Sequence, residues 1–516
     1  MLTTVSDLEI PFELRSDLLG GDPSRTALYV TSGSAALTYG GLRGLALGLA
    51  EALRSHAVGP GSRVGFFVPA GPEFAVGLLG GLSAGAAALP IDPSSKGDYL
   101  RQLLLALRPS ALFTSPSLAR RLELAADGLN VVMLDWNEAA GRLRVQCQGW
   151  GEAFEIDGRS PPASPRPVGD ADFASDALLI ATSGTTGTPK LVRLSHRAIR
   201  YNMAAHLESL GLTRPYVTLQ ALGANYSYGL ITSFLSTLSA GGTVVVPRFL
   251  DRRHIIDAAV EGEADVCLGT PALLRLLTEG TSPQDLDGLA RIEIIGIGGD
   301  HCPAHRRQAF ARALPRARFF VTYGLTEAGP RVSTLPPEEF LTRSDSVGRP
   351  LRGVQLEVRD PEGRPCPPGE PGSLFVRTPS LMSGYLVAGG GEPPPPPRPG
   401  SWHDTGDLAA LDADGYLSLH GRNDRQTKFR GRRFNPAVVE RCLESHPSVV
   451  SAQVVVDSAA ERLVATARVR PGSEGALTQE LIAHCRRNLP NALVPSGIEC
   501  VPDEGIYFKR RRVYSA

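Results

Sequence analysis

A chain of 516 residues is longer than one compact core serves and predicts two or more domains. Its 42% hydrophobic and 21% charged residues are those of an ordinary globular protein, and 53 basic side chains offset 53 acidic ones, which argues against a broad basic face for nucleic acid or anionic lipid. No apolar run reaches the ~18–20 residues of a membrane span, and Met1 to Gly20 holds four acidic groups, one Arg and no signal-like apolar stretch, so no membrane span and a cytoplasmic location are expected.

Elements follow from the apolar spacing. "LTYGGLRGLALGLAEALRSHAV" has the period of a helix, "RVGFFVP" is a short buried strand closed by proline, and "EFAVGLLGGLSAGA" is a second helix leading into "ALPIDP". "GRSPPASPRPVGD" (Gly158–Asp170) is a proline-rich connector. Beyond it, strands are expected at "ALLIAT", "GTVVVP", "ADVCLG", "IEIIGIG" and "ARFFVT", with helices opening near Ser195, Leu230, Asp251, Pro271 and Pro303. Strands alternating with helices predict parallel sheets covered on both faces, which bind ligands in the loops at the carboxyl ends of their strands. The run "AGGGEPPPPPRPG" (Ala388–Gly400) reads as an extended surface loop. After Asp424 a helix (Pro436–Ser445), two strands, a helix (Thr478–Asn488) and a last strand predict a small α+β unit.

Two residue classes are informative by their sparseness. Seven cysteines lie scattered with no C-x-x-C pair, which fits neither a disulfide framework nor a zinc site. Of the 53 basic residues only four are lysine (Lys96, Lys190, Lys428, Lys509), so a lysine can mark a place where a compact ammonium does what guanidinium cannot.

The strongest chemical signal is "ATSGTTGTPKLVRLSH", Ala181–His196. A buried strand empties into Thr182, Ser183, Gly184, Thr185, Thr186 and Gly187, and the loop closes on Lys190. Glycines let backbone N–H groups approach phosphate oxygens, hydroxyls add donors, and the ammonium neutralises charge. The Walker pattern G-x-x-x-x-G-K-[ST] is absent. A simple turn needs neither this specific run ending in Pro-Lys nor a strand directly before it.

With "TYGLTEAG" (Thr322–Gly329), "GSLFVRTPSLMSGY" and "WHDTGDLAALDADGYLSLHGRNDRQTKFRGRRF" following in order, the chain resembles the adenylate-forming superfamily over nearly its whole length. That group includes acyl-CoA and aryl-CoA synthetases, luciferases and the adenylation domains of nonribosomal peptide synthetases. The resemblance implies a large N-terminal adenylation domain (1–423) of parallel-rich αβα-layered sheets with a small β subdomain, holding the ATP and acyl sites. A small mobile α+β domain (424–516) would follow, turning about Asp424. It implies ATP and Mg²⁺ as cofactors, a small carboxylic acid as substrate, and coenzyme A or the phosphopantetheine of a carrier protein as acyl acceptor, in the manner of secondary metabolism.

The family's roles carry over position by position. Thr326 would contact the α-phosphate and Glu327 would hold Mg²⁺. Asp407, in "TGD", would accept from both ribose hydroxyls, with Arg422 beside it. Tyr323 would stack on adenine, and the loop Gly296–His301, with Gly298, Gly299 and Asp300, would line the purine together with Gly324. Lys190 would guard the departing pyrophosphate. Lys509, in "VPDEGIYFKRRR", would serve the α-phosphate in adenylation, although it follows Phe508 where the family has glycine. Lys428 and Gly431 belong to the loop that admits the thiol. Asp300 and His301 depart from the family's small or apolar residues after the glycine pair, and His301 is expected at the surface.

The acyl pocket should be lined by "LGANYSYGL" (Leu222–Leu230), with Asn225, Tyr226, Tyr228, Gly298 and Gly324. Amino-acid-activating members carry an Asp here for the substrate's ammonium, but this chain has no acid from Gln220 to Leu250. An apolar or aromatic acid without an α-ammonium is the first expectation, with recognition of a polar substituent by Asn225, Tyr226 and Tyr228, or plain packing of those side chains, as the alternatives. A stand-alone amino-acid-activating enzyme and a member that makes no thioester, such as an amide-forming ligase or a binding protein, remain open at this point.

Overall fold

The structure, a computed structural model, describes residues 18–19, 21–31, 35–122, 129–137, 140–147, 150, 152–158, 174–182, 189–212, 214–387, 393–398, 400–423, 427–429, 432–434, 436–457, 462–470, 474–489 and 493–503. Among these, two nine-stranded sheets dominate the large lobe. One runs Arg349–Pro350, Ser333–Leu335, Arg318–Tyr323, Ile294–Ile297, Val266–Gly269, Val217–Leu219, Thr243–Val246, Thr26–Val30, Ala35–Thr38, parallel through its middle and antiparallel at both edges. The other runs Gly384–Val387, Lys190–Ser195, Asp176–Thr182, Ala87–Pro90, Arg63–Phe67, Ala111–Thr114, Val131–Asn137, Arg142–Cys147, Phe154–Asp157.

The expected helices form where hydroxyl or carboxylate caps precede apolar spacing. Thr38 accepts from Gly41 N–H to start Tyr39–Ser55, Ser195 caps His196–Ser209, Asp251 caps Arg252–Glu261, and Thr270 caps Pro271–Thr278. The helix Pro72–Ala84 is buried on nearly every side, leaving only Ser83 partly exposed. It fills the space between the sheets, where Phe74 meets Phe66 and Phe234 edge-on at 6.5 and 5.5 Å. A helix apolar all round has no solvent face to give, and this one sits accordingly.

One strand goes beyond the sequence expectation and one helix differs from it. "KLVRLS" (Lys190–Ser195) returns as an antiparallel strand beside Asp176–Thr182, directly ahead of the helix expected near Ser195. The helix expected near Leu230 opens as a π-helix, Tyr228–Leu235, before a short α-turn, Ser236–Ser239. Its hydroxyls explain the wide turn: Thr232 Oγ1 bonds back to the Tyr228 carbonyl, Ser236 Oγ to Ile231 and Thr237 Oγ1 to Ser233. Such back-bonding competes with the i−4 ladder and loosens it.

The small β subdomain is a four-stranded antiparallel sheet, Gln355–Arg359, Gly372–Arg377, His403–Leu411, Leu417–Arg422. The small lobe packs helices Ala437–Glu444 and Glu474–Asn488 on strands Val449–Asp457, Arg462–Val469 and Gly497–Pro502, with its own apolar core around Val439, Leu443, Leu463 and Leu481. The fold is thus the α/β arrangement anticipated, a large parallel-rich lobe and a smaller α+β one. No helix of the described residues is long and apolar enough to cross a membrane.

Candidate active site

Parallel strands Ile294–Ile297 and Arg318–Tyr323 end side by side, and their carboxyl-end loops form one wall of the site. The backbone there is so close that only glycine fits at two positions. A Cβ on Gly298 would lie 2.4 Å from Thr322 Oγ1, and one on Gly324 would lie 2.0 Å from the Pro330 carbonyl oxygen. Tyr323 leaves the strand end with its hydroxyl donating to Asp407 Oδ2 at 2.5 Å. Desolvation, and then the Asp407 carboxylate, push that phenol well above its ordinary pKa, so it remains a donor. Asp407 is paired across the β subdomain with Arg422, whose Nη1 donates to Asp407 Oδ1 at 3.4 Å and to the Thr405 carbonyl at 3.2 Å. Thr405 Oγ1 accepts from Asp407 N–H at 3.1 Å and donates to the Leu374 carbonyl at 2.9 Å. Aromatic ring, carboxylate and guanidinium are therefore fixed as one unit.

A second group gathers around Lys190. This residue opens its strand opposite both Thr182 and Val387, and its Nζ lies 5.9 Å from the centroid of the Tyr385 ring. Tyr385 donates its hydroxyl to Glu327 Oε1 at 3.0 Å, while the Glu327 carbonyl accepts from Met382 N–H at 2.8 Å. Desolvation and the Glu327 charge push the Tyr385 phenol up, which keeps its proton on the donor side. Thr326 Oγ1 lies 2.9 Å from Ser227 Oγ. His403 is close enough to Glu327 to feel its charge, yet desolvation outweighs that pull and lowers the imidazole's pKa. The Thr326 hydroxyl and Glu327 carboxylate of one turn thus lie near the Tyr385 phenol, which the Lys190 ammonium faces from the neighbouring strand.

The segment expected to line the acyl pocket leads into the π-helix. Gln220 Nε2 donates to the Leu222 and Gly229 carbonyls at 2.7 and 3.2 Å and closes the loop that carries Asn225 and Tyr226. Asn225 and Tyr228 are half-buried, whereas Tyr226 is 54% exposed. The Tyr228 hydroxyl lies 3.1 Å from Thr322 Oγ1, which itself donates to the Ile297 carbonyl at 3.2 Å. A Cβ on Gly298 would also press on the Tyr228 ring at 3.2 Å, so the hydroxyl end of Tyr228 lies against the bare backbone of the Gly296–His301 loop.

A cleft of about 520 Å³ runs from Tyr323, Asp407 and Arg422 to the small lobe's Glu440, Arg441 and Glu444. Arg307 anchors its rim. Buried, it donates to the carbonyls of Cys302 (3.0 Å), Phe340 (3.3 Å), Arg343 (3.2 Å) and Ser346 (3.2 Å). Asp300 and His301 are exposed on this rim, Asp300 Oδ1 accepting from His301 N–H at 2.8 Å. Desolvation between the lobes, then Arg441 and Arg307, push the His301 imidazole down to about 4. The lobes meet through Arg275–Asp503 (3.0 Å), through Arg306 to the Val449 and Val450 carbonyls, and through Arg441 to the Leu419 (2.6 Å) and His420 (2.7 Å) carbonyls.

Among the described residues no group of three or more His, Cys, Asp or Glu could cage a metal ion. Mg²⁺ usually takes one or two carboxylates and fills its octahedron with phosphate oxygens and water, so a single partly exposed Glu327 fits it. Ser183, Gly184, Thr185, Thr186, Gly187, Asp424, Gly431 and Lys509 lie outside the described residues, and Lys428 is placed only by its backbone, in strand Thr427–Phe429. Tyr385, Arg307 and His403 are site residues that sequence reasoning missed. Tyr385 and His403 stand inside the motifs quoted for the resemblance, whereas Arg307 carries no local signal.

Residues 19–386 match the AMP-binding enzyme family, and residues 438–505 match the AMP-binding enzyme C-terminal domain. The chain belongs to that family, the adenylate-forming enzymes its motifs resemble. It is 30% identical over 498 residues to novobiocin biosynthesis protein H of Streptomyces niveus, covering 93% of this chain and 78% of the relative. It is 29% identical to a feruloyl-CoA synthase of Amycolatopsis sp, covering 94% and 95%. ATP-bound MatB from Rhodopseudomonas palustris shares the fold with a TM-score of 0.79 at 23% identity, over 95% of each chain. The protein is an AMP-forming ligase, which activates a carboxylic acid as its acyl-adenylate and passes the acyl group to a thiol.

Proposed function

We propose that the acceptor is coenzyme A and that the acid has an apolar or aromatic body without an α-ammonium group. The observation that carries this reading is the acyl wall itself. Tyr228, Thr322 and the bare backbone of Gly298 form it, and the segment Gln220–Leu250 that supplies its tyrosines contains no carboxylate to hold an ammonium. The relative named for a feruloyl group and coenzyme A supports the same choice.

The residues then divide the work. Tyr323, held through its hydroxyl, stacks on adenine, and Asp407 with Arg422 fixes the ribose. A carboxylate oxygen of the substrate attacks the α-phosphorus, the bond to pyrophosphate breaks, and a mixed anhydride remains. Negative charge growing on phosphate oxygens is met by the Thr326 hydroxyl, by Lys190 on the pyrophosphate side and by Lys509. Mg²⁺ on Glu327 would add charge neutralisation there. The part after Asp424 acts as a mobile domain whose loop with Lys428 and Gly431 admits the thiol. The thiolate attacks the acyl carbon and AMP leaves.

Carboxylate-dependent pyrophosphate exchange across aromatic, aliphatic and α-amino acids is the deciding experiment, followed by thioester formation with coenzyme A or a phosphopantetheinylated carrier protein. Exchange with aromatic or aliphatic acids, and thioester with free coenzyme A, is expected. Exchange confined to α-amino acids, or thioester only on the carrier protein, would overturn the reading. Lys509→Ala should slow exchange by on the order of 10²–10³, and an unchanged rate removes Lys509 from the adenylation step.

A further inference from the structure

The phosphate side of the site carries two opposite charges, Lys190 and Glu327, and Tyr385 meets both. Strand register places the first contact. Gly384–Val387 runs antiparallel to Lys190–Arg193, with Val192 opposite Tyr385 and Lys190 opposite Val387. Lys190 is therefore on the same sheet face as Tyr385, in the diagonal position from which a long side chain reaches an aromatic ring. Its Nζ stands 5.9 Å from the ring centroid. The far end of the phenol makes the second contact, donating to Glu327 Oε1 at 3.0 Å. The same segment holds the main chain of Glu327, whose carbonyl accepts from Met382 N–H at 2.8 Å.

Glu327 is thus gripped twice by one stretch of chain, at its backbone and at one carboxylate oxygen. Its own 3₁₀ turn, Thr326–Ala328, has no side-chain cap, so the rotation of the carboxylate is set from outside the turn. A carboxylate that turns freely offers a cation one oxygen or both. With Oε1 engaged by the phenol, Oε2 is the oxygen presented to a ligand. The choice matters between metals. Mg²⁺ demands a near-ideal octahedron of single oxygens at about 2.0–2.1 Å, whereas Ca²⁺ accepts both oxygens of one carboxylate and roughly six to eight ligands.

We infer that Tyr385 is a positioning residue that fixes Glu327 for a one-oxygen grip on the metal, and so favours Mg²⁺ over Ca²⁺ at the nucleotide's phosphates. This rests on the proposed function for the role of Glu327 and adds what orients it. The hydroxyl does the orienting. The ring, with Lys190 over it, is left in place when only the hydroxyl is removed, which makes Tyr385→Phe the informative change.

The test uses the full chain and α,β-methylene-ATP, which cannot release pyrophosphate. Isothermal titration gives the affinity of its Mg²⁺ salt, of its Ca²⁺ salt and of the analogue with chelator. Neither the acid nor coenzyme A enters, so the outcome is independent of which of them the enzyme uses. The wild type should bind the Mg²⁺ salt most tightly. Tyr385→Phe should weaken that binding about 10–100-fold, as for loss of a hydrogen bond to a metal ligand. It should weaken the Ca²⁺ salt less and leave the metal-free analogue unchanged. In a Glu327→Gln background, Tyr385→Phe should lower Mg²⁺ affinity no further, because the two changes act on one grip. An unchanged Mg²⁺ affinity in Tyr385→Phe overturns the inference, as does an unchanged ratio of Mg²⁺ to Ca²⁺ affinity. Equal loss in all three titrations makes the hydroxyl a structural tie and also overturns it. Should Tyr385→Phe fail to fold, Tyr385→Leu carries the same ratio of Mg²⁺ to Ca²⁺ affinity. If Glu327→Gln alone leaves Mg²⁺ affinity intact, the role proposed for Glu327 falls; if it lowers that affinity and Tyr385→Phe does not, only the present inference falls.

Discussion

The nucleotide wall of the large lobe and the contact face of the small lobe are held in opposite ways. On the wall, each functional side chain is tied to another side chain: Tyr323 to Asp407, Asp407 to Arg422, Glu327 to Tyr385, Thr326 to Ser227. On the contact face, Arg306 and Arg441 reach backbone carbonyls, and Arg275–Asp503 is the buried ion pair. A side-chain network has one geometry that satisfies every member, so it places reacting groups to a fraction of an ångström. A backbone carbonyl is an acceptor like any other along the strand, and an arginine released from it finds water without leaving a partner charge buried. The first arrangement suits chemistry, and the second suits a contact that is made and undone.

The sharpest way to break the contrast is on the wall. Glu327→Gln keeps the hydrogen bond from Tyr385 but removes the charge, and pyrophosphate exchange should fall by on the order of 10²–10³ with little change in thermal midpoint. Asp407→Asn leaves the Tyr323 hydroxyl and Arg422 without their carboxylate, and KM for ATP should rise roughly 10–100-fold, as expected for weakening hydrogen bonds to a charged group. A change in thermal stability with ATP affinity intact would show the network to be structural.

The contact face should respond more gently and to pH. Burial pushes the Glu444 carboxyl up to about 7, with Asp300 across the cleft raising it and Arg306 easing it. Folded, Glu444 holds a proton that the unfolded chain releases, so its contribution is full below about 4.5 and lost as pH rises through 7. His301, held at about 4, has the opposite sign: its contribution is present above about 6.5 and lost as pH falls toward 4. The two slopes oppose each other between 4.5 and 6.5. Glu444→Gln should remove the alkaline loosening, worth about 1 kcal/mol for a partly exposed group, and unmask the acid-side slope. The thermal midpoint across a pH series measures it, and identical profiles for variant and wild type would exclude Glu444. Smallest of all, Arg441→Ala should change thioester formation only a few-fold and exchange less, since water replaces its two carbonyl contacts.

Much of the frame was readable from the sequence because its signals are local. The apolar period marks Tyr39–Ser55, the caps at Ser195 and Asp251 mark their helices, and short motifs mark Tyr323 and Thr326 at a strand end and Asp407 within a strand. What escaped depends on partners far apart in the chain. Tyr385 meets Glu327 across 58 residues, and Arg307 reaches the Ser346 carbonyl across 39. The π-helix escaped for another reason: three hydroxyls bonding backwards widen a turn whose apolar spacing still reads as α.

The strand Lys190–Ser195 has one neighbour close in the chain, Asp176–Thr182, and the other, Gly384–Val387, about 190 residues later. During translation at roughly 5–20 residues per second, the outer flank of that strand therefore waits on the order of 10–40 s for its partner to leave the ribosome. A chain released before Gly384 carries the hydroxyl-rich loop without the strand, or the Tyr385 phenol, that finishes it.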